Sequence, residues 1–111
     1  MKFLFYPRLY SGKLAMSGRR AVRMLREGKT SPALYLLVRS ADGGSVELVW
    51  SVYFRQPWYR DSEILCVGIA GSWRDGVRLL SSIMQESVSR TGQTDLVRYL
   101  FPEEDGHGSG A

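Results

Sequence analysis

The stretch Ile64–Val77, ILCVGIAGSWRDGV, passes from an unbroken apolar run, through two glycines three residues apart and a serine, into a segment with helical spacing. A glycine-rich turn between a strand and a helix is either a phosphate cradle or a structural corner, and the residues after the glycines separate the two. A mononucleotide loop needs G-x-x-x-x-G-K-[ST], and a dinucleotide fingerprint needs G-x-G-x-x-G with an acid about 20 residues further on. Neither pattern occurs here. Gly68, Gly71, Ser72 and Asp75 fit a helix cap instead. The Ser72 hydroxyl is placed to accept from the Asp75 amide, and the Asp75 carboxylate lies in the first turn, where the helix dipole favours negative charge and where it repels a phosphate. The corner is therefore read as structural; the competing anion reading rests on free amides at the helix N-terminus, with Arg74 beside them.

Outward from this corner the chain divides into alternating elements. Ile64–Ala70 reads as a strand, and Val77, Leu80, Ile83, Met84 and Val88 recur at helical spacing over Arg74–Arg90, with Gly92 past the end. Asp95 caps a short last helix, Leu96–Phe101, which Pro102 stops. Upstream, Ala33–Arg39 (ALYLLVR) is apolar almost throughout, as suits a central strand covered on both faces. Asp42, Gly43 and Gly44 turn the chain into Ser45–Phe54, where Val46, Leu48, Trp50, Val52 and Phe54 alternate, so a hairpin partner strand over Glu47–Phe54 is expected. Periodicity does not separate this from a short helix over Val52–Tyr59 ended by Pro57.

Lys13–Glu27 spaces Leu14, Gly18, Ala21 and Leu25 by three and four before Gly28, which predicts a helix with one buried face. Lys2–Tyr6 reads as an edge strand that Pro7 interrupts. The fold expected is α+β: a small sheet of three to four strands, at least partly antiparallel, with two main helices packed on one face and a short C-terminal helix. Residues 1–101 make one domain, and the acidic, glycine-rich residues 102–111 are expected to form a flexible tail.

Composition agrees with that outline: 111 residues, 44% hydrophobic and 23% charged, match a single soluble globular domain. No apolar stretch approaches the roughly 20 residues that span a bilayer, and MKFLFYPRLY lacks the apolar core of a signal peptide. A cytoplasmic protein without membrane contact is expected. Cys66, the single cysteine, sits within an apolar run and reads as a buried hydrophobe. The net charge of +4 is unevenly spread: the first 60 residues hold 11 Lys and Arg against three acids, and the remainder hold four against eight. A basic half suits nucleic-acid phosphates or an acidic protein face.

Two groups of residues stand out as a binding surface. Arg19, Arg23 and Arg26 stand at i, i+4 and i+7, opposite the apolar stripe, with Lys13 and Arg20 flanking them and only Glu27 to balance the charge. Such a row matches phosphates or carboxylates, or forms a solvated face. The second group is aromatic: Trp50, Tyr53, Phe54, Trp58 and Tyr59, interleaved with Arg55 and Arg60, a mixture used both by single-stranded nucleic acid sites and by protein hot spots. Trp50 and Phe54 are expected to face inward, and Trp58 and Tyr59 to lie at the surface. No catalytic residue, metal site or cofactor is expected: the one histidine, His107, lies in the glycine-rich ending, and no pair of acids suggests a general acid and base.

The segment from Pro32 to Phe101 also resembles small uncharacterised proteins of Firmicutes, many of them carried by mobile or integrated elements. Tyr59, Arg60, Val67, Gly68 and Ala70 match that group's Y-(R/K)-x-x-x-L-x-V-V-G-(I/L)-A strand, and Thr91, Gly92, Asp95, Arg98, Tyr99 and Leu100 match its T-G-x-x-D ending. The resemblance implies an α+β domain and no assigned activity. The chain departs from the pattern at Gly76, where alanine is usual, and glycine inside a helix costs about 1 kcal/mol against alanine. The expected function is a non-enzymatic binding module that contacts nucleic acid, or a nucleic-acid-associated protein, through Lys13, Arg19, Arg20, Arg23, Arg26, Arg55, Trp58, Tyr59 and Arg60. The alternative is a mobile-element inhibitor or adaptor that binds an acidic host protein surface.

Overall fold

A computed structural model describes residues 1–103. His107 and all but the first two residues of the expected tail lie outside the described residues. The elements run β1 (Lys2–Ser11), α1 (Gly18–Arg26), β2 (Tyr35–Arg39), β3 (Val46–Trp50), two 3₁₀ turns (Ser51–Arg55 and Pro57–Tyr59), β4 (Glu63–Ala70), α2 (Trp73–Thr91) and α3 (Leu96–Leu100). The four strands form one mixed sheet in the order β1-β4-β2-β3. β2 is antiparallel to both β3 and β4, whereas β1 runs parallel to β4. The α+β class is thus the observed one.

The two innermost strands are the two apolar runs. β4 and β2 are the central strands, and both faces of the sheet are covered over them, so side chains of either parity are buried: Ile64, Cys66, Val67 and Ile69, and Leu36, Leu37 and Val38. β1 is an edge strand, as Pro7 requires, but it continues past the proline to Ser11. Its register explains how. Phe5 stands opposite Cys66 and Tyr10 opposite Gly68, so Tyr6–Leu9 step out against the single Val67, and the N–H that Pro7 lacks falls in this break.

Alternation along β2 sorts the core into two layers. Leu34, Leu36 and Val38 pack with Ala21 and Leu25 of α1 and with Phe3, Phe54 and Cys66, while Leu37 packs with Val67, with Ile83 of α2 and with Leu96 and Leu100 of α3. The expectation that both long helices share one face is therefore corrected: α1 covers one face, and α2 with α3 covers the other. The physical cause is the doubly apolar character of β2 and β4, which leaves two faces to bury.

Several boundaries also move. α1 begins at Gly18, where Ser17 accepts a hydrogen bond from the Arg20 amide, so Lys13 and Leu14 precede the helix. β3 ends at Trp50, and Ser51–Arg55 and Pro57–Tyr59 are 3₁₀ turns, which settles the strand-or-helix alternative for Val52–Tyr59 in favour of helical turns. The Ser51 side chain helps to end the strand, because it donates to the Ser31 carbonyl at 2.8 Å and accepts from the Ser31 amide at 3.2 Å. Trp50 does not face inward: it is 39% exposed, its ring lies beside Tyr35, and its Nε1 donates to the Pro32 carbonyl at 3.1 Å.

The corner at residues 68–75 has the expected cap. Ser72 accepts from the Asp75 amide at 3.1 Å and donates to its carboxylate at 3.0 Å, and α2 ends at Gly92 with φ 72°. The Gly71 amide donates to the Lys13 carbonyl at 2.7 Å, which ties the corner to the β1–α1 connection. Gly76 has a packing reason. A β-carbon built there would lie 2.6 Å from Leu48 Cδ1, so α2 crosses β3 at a distance that only glycine permits without moving Leu48.

Candidate interface on the α1 face

α1 is short, and its two buried residues, Ala21 and Leu25, point it at the sheet. With that face fixed, helical spacing turns Arg19, Arg20, Arg23 and Arg26 outward, and all four are exposed. Arg19, Arg23 and Arg26 line an open groove of about 510 Å³ between α1 and β1, with Val22, Leu9 and Ile69 on its apolar wall. Arg26 also lies over the Phe5 ring, 5.5 Å from its centre. Among the described residues, Arg19, Arg20 and Arg23 have no ion pair, side-chain hydrogen bond or ring contact. Glu27, the acid next to this row, pairs instead with Lys29 at 3.1 Å.

The helix starts with a positive first turn. No acid is present there, and Arg19 and Arg20 follow directly after Gly18. The macrodipole already places partial positive charge at that end, so these side chains oppose it by about 0.3–1 kcal/mol each at low salt. An anion in front of this turn relieves both.

The second cluster sits on the same face of the sheet, because Phe54 and Tyr59 belong to the layer that α1 covers. Phe54 meets Phe3 edge to face at 5.6 Å and Tyr59 at 5.0 Å. Tyr59 is thus half-buried and serves mainly as packing, whereas Trp58, 69% exposed, extends this aromatic chain to the surface. Arg55 is tied down: its Nε donates to Thr30 Oγ1 at 2.7 Å, linking the first 3₁₀ turn to the loop after α1. Arg60 is exposed at the end of the second turn. Lys13 is exposed too, but it belongs to the connection beside Gly71 and not to the α1 row.

Cys66 is fully buried, and burial pushes its thiol up to about 12. It is therefore a packed hydrophobe and a poor nucleophile at neutral pH. No helix among the described residues is long and apolar enough to cross a membrane.

Two clusters escape sequence reasoning. Tyr35 lies between Trp50 and Trp73, with ring centres 6.4 and 6.3 Å away. On the α2 face, the hydroxyls of Tyr10 and Tyr99 both donate to Glu86 Oε2, each at 2.6 Å. These two bonds, with the nearby charges of Arg90 and Arg8, hold the Glu86 carboxyl below its usual range; burial and its bond to Glu86 push the Tyr10 phenol up, and Tyr99's own bond to Glu86 raises that phenol. The participants are 76 and 13 residues apart, so no periodicity links them; the only local hint is Glu86 and Arg90 at i, i+4.

Compared with protein-family models, curated proteins and solved structures, the chain matches none of them.

Proposed function

We propose that the chain is a non-enzymatic, cytoplasmic nucleic-acid-binding module that grips backbone phosphates with the α1 row and offers Trp58 as a stacking ring. The observation that carries this reading is the uncompensated charge of Arg19, Arg20 and Arg23, set partly at the dipole-positive end of a helix whose neighbouring acid is already paired. Guanidinium forks without intramolecular partners are the groups that phosphate oxygens satisfy. Arg55 and Tyr59 support the surface and do not contact the ligand, because both are engaged within the fold.

A salt titration with random-sequence duplex and single strands tests the reading. Replacing Arg19, Arg23 and Arg26 with glutamine changes stability by no more than about 0.5 kcal/mol each, as for ordinary surface sites. It flattens the slope of log affinity against log salt by about 0.9 for each duplex phosphate no longer neutralised, or about 0.7 for a single strand. Trp58→Ala weakens single strands and leaves duplex binding unchanged. If the parent binds neither form, and the triple variant instead slows association with an acidic protein captured from a nuclease-treated lysate, the adaptor reading replaces this one.

A further inference from the structure

Alternation along β1 gives the strand two different neighbourhoods. Leu9 and Ser11 line the groove beside α1, while Tyr6, Arg8 and Tyr10 line a separate cavity of about 320 Å³, shared with Glu86 and Arg90 of α2 and Tyr99 of α3. Its polar chemistry is unusual in how the charges are partnered. An arginine beside a carboxylate ordinarily pairs with it, yet among the described residues neither Arg8 nor Arg90 forms an ion pair. The two phenols occupy Glu86 Oε2 instead. Two guanidinium groups therefore border one cavity without a hydrogen bond or ion pair of their own; both attract the Glu86 carboxylate at longer range, and together they outweigh its single negative charge. Tyr6 completes the wall, stacked on Tyr10 with ring centres 6.2 Å apart and braced edge-on by Phe101 at 5.6 Å.

We propose that this cavity is a phosphate-ester site: Arg8 and Arg90 clamp the phosphate, and the Tyr6 side takes a planar base, presented as a free nucleoside monophosphate or as the phosphorylated end of a strand. Two forks supply the paired N–H donors that a phosphate dianion needs. The volume lies at the small end of ligand pockets, which suits one nucleotide and excludes a duplex. Glu86 is a positioning residue, since its bonds to Tyr10 and Tyr99 hold β1, α2 and α3 around the cavity. The site lies on the face of the sheet opposite α1 and does not depend on the α1 reading.

Calorimetric titration of the full chain tests this with adenosine monophosphate, inorganic phosphate, and one oligonucleotide with and without a 5′-phosphate. The parent binds the nucleotide more tightly than phosphate alone. Arg8→Gln and Arg90→Gln each weaken both by about tenfold or more, the loss expected when a charged hydrogen bond is removed, and Tyr6→Leu weakens only the nucleotide. A preference for the phosphorylated oligonucleotide that Arg90→Gln abolishes assigns the site to strand ends; equal binding of the two oligonucleotides assigns it to free nucleotide. Urea midpoints monitor folding, and Arg90→Gln, on the exposed side of α2, keeps the test valid if Arg8→Gln disturbs β1. The proposal is overturned if the parent binds neither adenosine monophosphate nor phosphate at millimolar concentration, or if both arginine variants bind as the parent does. It is equally overturned if glutamine at Arg19, Arg23 and Arg26 is what removes nucleotide binding, a result that leaves the α1 reading standing.

Discussion

The two faces of the sheet are covered by helices of opposite character. α2 is 19 residues long, starts with Ser72 and an acid in its first turn, and ends in a left-handed glycine. Cap, first-turn acid and stop all favour its conformation, and only the internal Gly76 runs against it. α1 has nine residues, and arginines stand where acids would stabilise it. A helix of this length is not stable alone in water, so α1 is held by tertiary burial of Ala21 and Leu25 and by the ties between the following loop and the first 3₁₀ turn. α2 is shaped by its own stability; α1 carries charge at a cost to it.

The largest effect expected from breaking this contrast comes from the cores under the two helices. Leu25→Ala and Ile83→Ala each remove a buried side chain and lower stability by about 2–5 kcal/mol. Hydrogen exchange distinguishes them: in Leu25→Ala the α1 amides lose protection ahead of global unfolding, whereas α2 keeps its protection in Ile83→Ala. Equal behaviour of the two helices would remove the contrast. Next is Ser72→Ala, which deletes the α2 cap and lowers the unfolding free energy by about 0.5–2 kcal/mol without altering nucleic-acid binding. A reduced affinity at an unchanged midpoint would instead make the corner an anion site.

Gly76→Ala sharpens the comparison through its sign. Propensity alone favours alanine by about 1 kcal/mol, but the added methyl meets Leu48, and overpacking costs about 1–3 kcal/mol. The single substitution destabilises; in a Leu48→Ala background the same substitution stabilises. Thermal midpoints of the four proteins decide it.

The smallest effect is the pH dependence of the Tyr10–Glu86–Tyr99 cluster. The folded Glu86 carboxyl titrates below its unfolded value, so its contribution is present at neutral pH and is lost as the pH falls from the ordinary glutamate range through the lower folded one. The phenols titrate above their unfolded values, so their contribution fades as the pH rises beyond about 10, the ordinary tyrosine value. Glu86→Gln flattens the acid limb and only reduces the alkaline one, because burial still raises Tyr10; an unchanged acid limb would mean that the carboxylate contributes nothing there.

What was legible in the sequence follows the same division. Over Trp73–Thr91 apolar spacing, cap and stop agree, and the helix lies within one residue of its expected bounds. The hairpin turn at Asp42–Gly44 was legible for the same reason, since Asp42 accepts from the Gly44 amide within the turn itself. The start of α1 was not, because Leu14 continues the helical spacing although it belongs to the connection beside the corner, and only Ser17 marks the true beginning. The assignment of helices to faces depends on strand order, which no local pattern encodes. In the candidate interface the outward arginines followed from Ala21 and Leu25 alone, whereas the tie of Arg55 to Thr30 spans 25 residues and appears only in the fold.

The four residues that step out of register in β1 also govern self-assembly. A strand from another molecule adds to a sheet edge by matching a continuous row of donors and acceptors. Along β1 it would meet a short run ending at Phe5, then a break in which Pro7 offers no donor, then only Tyr10 and Ser11, with Lys2 and Arg8 as charged neighbours. Fibril-forming segments need about six or seven in-register residues without proline. Neither part of β1 supplies them, so the longest strand of the protein is a poor template for polymerisation.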